Sequence, residues 1–429
     1  MRNILLSAMA LAIAAITTSF AAIAGIPVVE GSYIVTFKKD AGLVEPPNEA
    51  NRGKSPVPFA QHSTGQSKSA LAAALGTTGE VASIFETINA VHIKMDAKEA
   101  DRLRRDKRVL RVDQSIIGTL PATQTNPGWG LDRLDSSTPA LNGAYNYQYT
   151  GAGRTIYLLD SGLALSNPTV AAEFGGRASI IWDRNNGVPY GNDCTGHGTK
   201  VASIAGGNTY GVAKGVNLIE AKVTFDCTDN VDTTAVVESL NWLAANAILG
   251  TVQRGTIVIP EMALSLYPNP CGSFFYEPLE NAVVAAYNAG IIVVMPAGND
   301  GCDTANYSPV NKYEAFVVGA THSGGLPYTD RRMSESRVGQ NISAFAPGKL
   351  VPAMNQYGSA DTPSGTSFAA PYIAGIFAVV CQAAGTYCNT TSTATLYQNL
   401  RDTGVLGTVV DYDGGPLPNS TSRFIWQQW

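Results

Sequence analysis

The feature that constrains the fold most is a regular alternation of strand-like and helix-like segments from Thr155 onward. Short runs rich in Val and Ile alternate with longer segments of helical periodicity. This pattern predicts parallel strands joined by crossover helices, and hence an α/β fold with a doubly wound, mostly parallel sheet and helices on both faces. The predicted strands are Ile156–Leu159, Val216–Val223, Thr256–Leu266, Ile291–Met295 and Ala315–Ala320, and the predicted helices are His197–Ala205, Thr233–Leu249, Leu279–Asn288 and Thr366–Ala384.

A smaller α+β unit precedes this region. Its predicted strands are Ser32–Phe37, Val81–Phe85, Ala90–Met95 and Val109–Asp113, and its predicted helices are Ser69–Leu75 and a charged segment between Asp96 and Arg108. The stretch Gly118–Gly128, rich in Thr, Pro and Gly, is predicted to be a loop between the two parts.

The first 24 residues have the pattern of a secretory signal peptide. A basic Arg2 precedes a short apolar core from Ile4 to Ile16, and small residues at Ala22–Ala24 suit a cleavage site. A membrane anchor is the alternative, but the apolar core is too short to span a bilayer comfortably. We therefore expect a secreted, extracellular protein.

The cysteines fit this expectation, because export permits disulfides. Six cysteines allow 15 pairings, and their spacing alone does not choose among them. A zinc cluster is the alternative, but the sequence has no Cys-x-x-Cys pair. The six are Cys194, Cys227, Cys271, Cys302, Cys381 and Cys388.

The charge of the chain argues against nucleic acid as a partner. Residues 118–429 carry 15 Lys and Arg against 23 Asp and Glu, within a chain of net charge −5. Nucleic-acid binding demands a basic surface, which this acidic part does not favour.

Three side chains suited to nucleophilic catalysis stand at junctions between predicted elements. Asp160 ends a predicted strand, His197 begins a helix, and Ser367 begins the long apolar helix. A serine hydroxyl needs a base to take its proton, and histidine is the usual base because its pKa lies near neutrality. The chain order Asp, His, Ser is one of the known orders of this triad, so the sequence predicts a serine peptidase in which Asp160 orients His197.

Two further residues complete this interpretation. Asn299 follows a predicted strand in Met295-Pro-Ala-Gly-Asn-Asp300, where its side-chain amide can stabilise the oxyanion together with the Ser367 backbone N–H. His322, the other histidine beyond residue 117, lies in a Gly-containing loop and is interpreted as a surface residue.

At these motifs the chain resembles the subtilisin-like serine peptidases, specifically the proteinase K branch that includes aqualysin-type enzymes. Thr123–Leu134, Glu173–Ala178 and Asn306–Pro309 are similar to that branch as well. The resemblance implies a signal peptide at 1–24, an inhibitory and folding-assisting propeptide at 25–117 and a catalytic domain at 118–429. By likeness to the aqualysin type, Cys194 pairs with Cys227 and Cys271 with Cys302, which leaves Cys381 for Cys388.

The resemblance also implies where substrate binds, and there the chain departs from the family. Ser265, Leu266 and Tyr267 stand where the family has Ser-Leu-Gly, the edge that pairs with the substrate backbone. Tyr267 narrows a subsite, stacks on a substrate side chain, or is a harmless tyrosine at the rim. Ala297 and Gly298 are expected to bind substrate as well, and Met295-Pro296 alters the small residues that usually wall the specificity pocket.

A second departure concerns calcium, for which the branch often has an Asp where this chain has Ser343. The resemblance therefore does not imply a structural calcium ion at that position. Whether the chain binds a metal ion at another position is not predicted. We expect no cofactor in the chemistry.

The sequence thus predicts a secreted, monomeric serine endopeptidase made as a self-processing zymogen. Its expected partners are polypeptide substrates and its own propeptide, with no nucleic acid and no membrane. One alternative is a non-catalytic binding protein that keeps the peptidase fold, and another is a secreted esterase that uses the same triad.

Overall fold

A computed structural model describes residues 28–44, 66–116, 121–185, 191–225, 227–262, 271–323 and 330–427. The chain divides into two compact units, Met1–Thr119 and Leu120–Trp429. The predicted signal peptide at 1–24 lies outside the described residues.

The first unit is a four-stranded antiparallel sheet with two helices. The elements are β1 (Val28–Phe37), α1 (Lys68–Leu75), β2 (Glu80–Phe85), β3 (Ala90–Lys94), α2 (Ala97–Arg104) and β4 (Val109–Ile116). The strands run in the spatial order β2-β3-β1-β4, and the chain order β-α-β-β-α-β makes it a split β-α-β unit. Its core is apolar, with Val35, Val91 and Ile93 fully buried.

The second unit is built on a nine-stranded sheet of which seven strands are parallel. The strands are β5 (Ala122–Thr125), β6 (Ala144–Tyr147), β7 (Thr155–Asp160), β8 (Ala178–Asp183), β9 (Asn217–Lys222), β10 (Ile257–Pro260), β11 (Ile292–Pro296), β12 (Phe316–Ser323), β13 (Asp330–Arg332), β14 (Ile342–Pro347), β15 (Ala353–Met354), β16 (Ala360–Asp361) and β17 (Val409–Val410). The spatial order in the large sheet is β17-β13-β12-β11-β10-β7-β9-β8, with β14 also paired to β12. Two short antiparallel pairs are separate from it, β5 with β6 and β15 with β16.

Every residue of the central strands β10 and β11 is buried, which shows that both faces of this sheet are covered. The helices are α3 (Trp129–Leu134), α4 (Pro168–Phe174), α5 (His197–Gly206), α6 (Thr233–Ile248), α7 (Glu277–Asn288), α8 (Ala370–Ala383), α9 (Tyr387–Thr390) and α10 (Thr393–Thr403). Helix α5 packs against α8, and α6 packs against α7. The predicted α/β class is confirmed.

Three local predictions were wrong. His322 does not lie in a loop but in strand β12, opposite Arg331 of β13, and it is half-buried. The segment Gly118–Gly128 is not wholly a loop, since it contains β5; this strand is polar and mostly exposed, so it lacks the apolar alternation that marks a strand. The strand expected at Thr256–Leu266 ends at Pro260. The apolar run continues beyond Pro260 in the sequence. Proline, however, has no backbone N–H and cannot donate a hydrogen bond to a neighbouring strand, so it is unfavourable within a central strand.

The two ends of the described second unit meet. Gln427 N donates to Leu134 O at 2.6 Å, and the Tyr145 hydroxyl donates to Gln427 Oε1 at 2.6 Å. The Arg133 guanidinium lies 3.9 Å from the centre of the Phe424 ring. The residues that follow β17 are therefore fastened to α3 and β6, near the start of the unit.

Within the described residues, one helical segment, Thr366–Ala383, is long and apolar enough to cross a membrane. Of this segment, 78% is buried inside the unit, as is usual for the core helix of a folded domain.

Candidate active site

The carboxylate of Asp160 and the imidazole of His197 are hydrogen-bonded at the carboxyl end of β7. His197 Nδ1 lies 2.8 Å from Asp160 Oδ1, and the ring nitrogen is the donor because an ionised carboxylate only accepts. Asp160 is the last residue of β7, and its side chain is 2% exposed. This bond leaves His197 Nε2 as the nitrogen that can accept a proton.

His197 reaches Asp160 because α5 begins very close to the end of β7. The second residue of the helix is Gly198, and a Cβ atom there would lie 2.4 Å from Gly162 O and 3.2 Å from Asp160 Oδ1. A larger residue would push the start of the helix away from the strand. Glycine at this position thus allows the distance that the hydrogen bond requires.

The charges around His197 favour its protonated form. Burial alone lowers the pKa of the imidazole, but the charge and hydrogen bond of Asp160, followed by the charges of Glu261 and Asp229, raise it to about 9. The side chain is 27% exposed, toward a cleft that Asp229 and Glu261 also line. This part of the cleft is therefore acidic.

Ser367 lies in a short 3₁₀ turn, Thr366–Phe368, directly before α8. It lines the same cleft of about 400 Å³ as His197 and Asn299. The Phe368 ring packs on the His197 ring with centroids 5.3 Å apart. Among the described residues, no hydrogen bond joins the Ser367 hydroxyl to His197; such bonds are often formed only when substrate is bound.

The side chain of Asn299 is held in one orientation by Thr366. Asn299 Oδ1 accepts the Thr366 backbone N–H at 2.8 Å and the Thr366 hydroxyl at 3.0 Å. The Thr366 hydroxyl in turn accepts the Gly298 backbone N–H at 3.0 Å. Because the oxygen of the amide is occupied, Nδ2 is left as a donor at the cleft, as an oxyanion site requires.

Arg337 holds the turn that carries Asn299. Its guanidinium forms a bidentate ion pair with Asp300 at 2.7 and 2.6 Å, and lies 3.5 Å from the centre of the Tyr307 ring. Its backbone N–H donates to Gly298 O at 3.0 Å. Gly298 has a φ of 112°, and a Cβ atom there would lie 2.5 Å from Arg337 Nε, so only glycine fits.

Glu261, which the sequence analysis missed, lies in the same cleft. It directly follows β10, and its backbone N–H donates to Leu159 O at 3.1 Å. The nearest ligand atoms of Asp160, His197 and Glu261 lie within 4.8 Å of one another. Glu261 is an acidic residue inside an apolar run, and this is the sequence feature that could have identified it. The apolar run instead predicts a strand that extends to Leu266.

The structure places the expected substrate-binding residues only in part. Ser265, Leu266 and Tyr267 lie outside the described residues. Ala297 is buried after β11, with its N–H on Val318 O at 3.0 Å, and Gly298 is the residue held by Thr366.

The structure contains three disulfides, Cys194–Cys227, Cys271–Cys302 and Cys381–Cys388, which are the pairs that the resemblance to the aqualysin type implies. The first joins the segment before α5, which carries His197, to the segment before α6, which lines the cleft at Asp229. The two walls of the cleft are therefore covalently linked.

The residues around Ser343 do not fit a calcium ion. Ser343 is buried in β14, and its hydroxyl accepts from Arg401 Nη1 at 3.5 Å. A guanidinium at this distance opposes a divalent cation, and calcium prefers several carboxylate and carbonyl oxygens.

Comparison with known proteins finds serine proteinases. An extracellular serine proteinase of Thermus sp. (strain Rt41A) is 35% identical over 358 residues, 82% of this chain and 81% of the relative. Alkaline serine exoprotease A of Vibrio alginolyticus is 34% identical over 310 residues, 71% of this chain and 54% of the relative. The crystal structure of a cold adapted subtilisin-like serine proteinase superposes with a TM-score of 0.60 at 31% identity, and covers 71% of this chain and 99% of that one.

Fold, cleft and relatives define a secreted serine-type endopeptidase that acts on polypeptides. The sequence profile of the subtilase family matches residues 151–413, and the chain belongs to this family. The chemistry of subtilases generally needs no cofactor, whereas structural calcium is common among them.

Proposed function

We propose that this chain hydrolyses peptide bonds with Ser367 as nucleophile, His197 as general base and acid, Asp160 as the residue that orients His197, and Asn299 as an oxyanion donor. The observation that carries the proposal is the 2.8 Å bond between His197 Nδ1 and Asp160 Oδ1 in a cleft that Ser367 and Asn299 also line. This is the arrangement that the Ser-His-Asp mechanism uses.

In this mechanism Ser367 Oγ attacks the scissile carbonyl carbon while its proton moves to His197 Nε2. Asp160 stabilises the imidazolium through Nδ1–H. Asn299 Nδ2 and the Ser367 backbone N–H donate to the oxyanion of the tetrahedral intermediate. His197 then passes the proton to the leaving amine, and water releases the acyl group by the same steps.

The two compact units support a zymogen. We assign residues 1–24 to a signal peptide, 25–117 to an inhibitory propeptide that assists folding, and 118–429 to a monomeric catalytic domain. The α+β unit at Val28–Ile116 has its own sheet and its own apolar core, so it can act as a separate folding unit.

The test is expression of residues 25–429 as wild type and as Ser367→Ala, followed by intact mass measurement. We expect the wild type to lose about 90 residues and the variant to stay full length. Processing of both chains, or casein cleavage by the variant, would contradict the proposal. Cleavage of simple esters without cleavage of denatured casein would favour an esterase.

A further inference from the structure

Glu261 is a buried carboxylate that no part of the proposed mechanism uses. The residue is 6% exposed, and neither of its carboxylate oxygens accepts a well-directed hydrogen bond from the described residues. Burial of a carboxylate without well-formed hydrogen bonds is unfavourable. A carboxylate kept in this state beside a nucleophile is therefore a candidate for a role in the chemistry.

Three residues, Ser367, Asp160 and His197, surround the carboxyl group of Glu261. Glu261 shares the cleft with Ser367, whose hydroxyl is close enough to lower the pKa of the Glu261 carboxyl in opposition to burial. Its nearest ligand atom lies within 4.8 Å of those of Asp160 and His197. The imidazole thus has two carboxylates beside it, Asp160 at the end of β7 and Glu261 at the end of the neighbouring strand β10.

We propose that Glu261 is a positioning residue of the catalytic base, a second carboxylate that stabilises the imidazolium of His197 and thereby sets the pH range of the reaction. This inference rests on the proposed function. When Ser367 Oγ bonds to the carbonyl carbon, its proton moves to Nε2, and the positive charge on the ring lies near two carboxylates instead of one. The charge disappears when the same proton goes to the leaving amine.

The groups around His197 make Glu261 the one whose removal is informative. Asp160 is needed to orient the ring, and Asp229 is exposed to solvent, which screens its charge. The two nearby lysines are engaged elsewhere, Lys200 with Asp361 at 3.5 Å and Lys222 with Asn192 O at 2.7 Å. The acidic groups that face this region are Asp160 from β7, Asp193 from the segment before α5, Glu220 from β9, Asp229 from the segment before α6 and Glu261.

The pKa values agree with this geometry. The charge of Glu261 is one of the causes that hold the pKa of His197 at about 9. Burial raises the pKa of Glu261 well above its usual range, and the imidazole reverses this only in part.

The test compares the pH dependence of kcat/KM for the processed wild type, Glu261→Gln and a matched control, Glu277→Gln. Glu277 is an exposed glutamate at the start of α7. An amide no longer favours the imidazolium, so the pKa of the base falls and the acidic limb of the Glu261→Gln profile moves to lower pH by about one unit. The Glu277→Gln profile stays in place.

A second readout does not depend on activity. In the Ser367→Ala background, the imidazole of His197 is titrated by NMR with Glu261 in place and again after Glu261→Gln, or after Glu261→Asn if the first substitution prevents folding. A downward shift of the His197 titration supports the inference. An unmoved limb and an unmoved titration overturn it, while leaving the triad intact. Activity of Ser367→Ala would instead overturn the proposed function.

Discussion

Replacement of Thr366 by valine tests the link between the oxyanion donor and the turn that carries the nucleophile. Valine keeps the shape of threonine but removes the hydroxyl, which donates to Asn299 Oδ1 at 3.0 Å and accepts from Gly298 N at 3.0 Å. Asn299 keeps the second bond to its oxygen, from Thr366 N at 2.8 Å. We therefore expect the amide to be oriented less strictly but not lost.

The magnitude follows from these bonds. Complete removal of such an asparagine lowers kcat by about 10²–10³-fold, a value taken from subtilisin. Loss of one of the two bonds that orient Asn299 is worth about 1 kcal/mol, which corresponds to roughly a fivefold fall in kcat. The Gly298 N–H is left buried without a partner, at a cost of about 1–3 kcal/mol in the free energy of unfolding.

The assay is steady-state kinetics on a peptide amide, with Thr366→Ser as the control that keeps a hydroxyl. Because the oxyanion forms only after attack, kcat falls while KM changes little in Thr366→Val, and Thr366→Ser stays close to the wild type. A loss as large as that of Asn299→Ala, or an effect on KM alone, would refute the reasoning. Thermal unfolding of the Ser367→Ala forms measures the stability change without self-cleavage.

Three further outcomes are expected. His197 must be neutral to act as a base, so kcat/KM falls about tenfold per pH unit below its pKa of about 9. The raised pKa of His197 also stabilises the folded state. In an inactive variant this stabilisation is fully present below pH about 6.5 and is lost as the pH rises through about 9. Arg337→Met removes the guanidinium that pairs with Asp300 and lowers the free energy of unfolding by about 3–5 kcal/mol, measured by denaturant titration; an unchanged midpoint would contradict this. The double substitution Cys194→Ser and Cys227→Ser lowers the free energy of unfolding by about 2–4 kcal/mol. If the wild type is equally stable with and without reductant, this value is wrong.

The sequence predicted the elements of the fold whose apolar pattern is continuous. The run that ends at Asp160, the helix that begins at His197 and the helix after Ser367 were located because burial on both faces leaves long apolar runs in the chain. The polar strand Ala122–Thr125 was missed because its stability comes from pairing with Ala144–Tyr147 and not from its own composition.

The fine structure of the site depends on contacts between distant parts of the chain. Thr366 orients Asn299 although the two residues are 67 positions apart in the sequence. No local sequence pattern predicts a contact of this kind. The position of Glu261 was not predicted for a related reason. Glu261 follows Pro260, the last residue of β10, and it comes close to His197 only because β10 pairs with β7. Register between strands, which sequence periodicity does not encode, decides which side chains meet.

The contact between Gln427 and Leu134 means that the second unit is nearly a closed loop of chain. A short linker from residue 427 to the segment before β5, with new ends at the exposed turn of Leu249 and Gly250, gives a circular permutant that keeps every strand neighbour. In that chain Asn299 and Ser367 come first, and Asp160 and His197 come last. The linear order that first suggested the triad would be gone while its geometry remained, so the chemistry belongs to the spatial arrangement and not to the order of the residues in the chain.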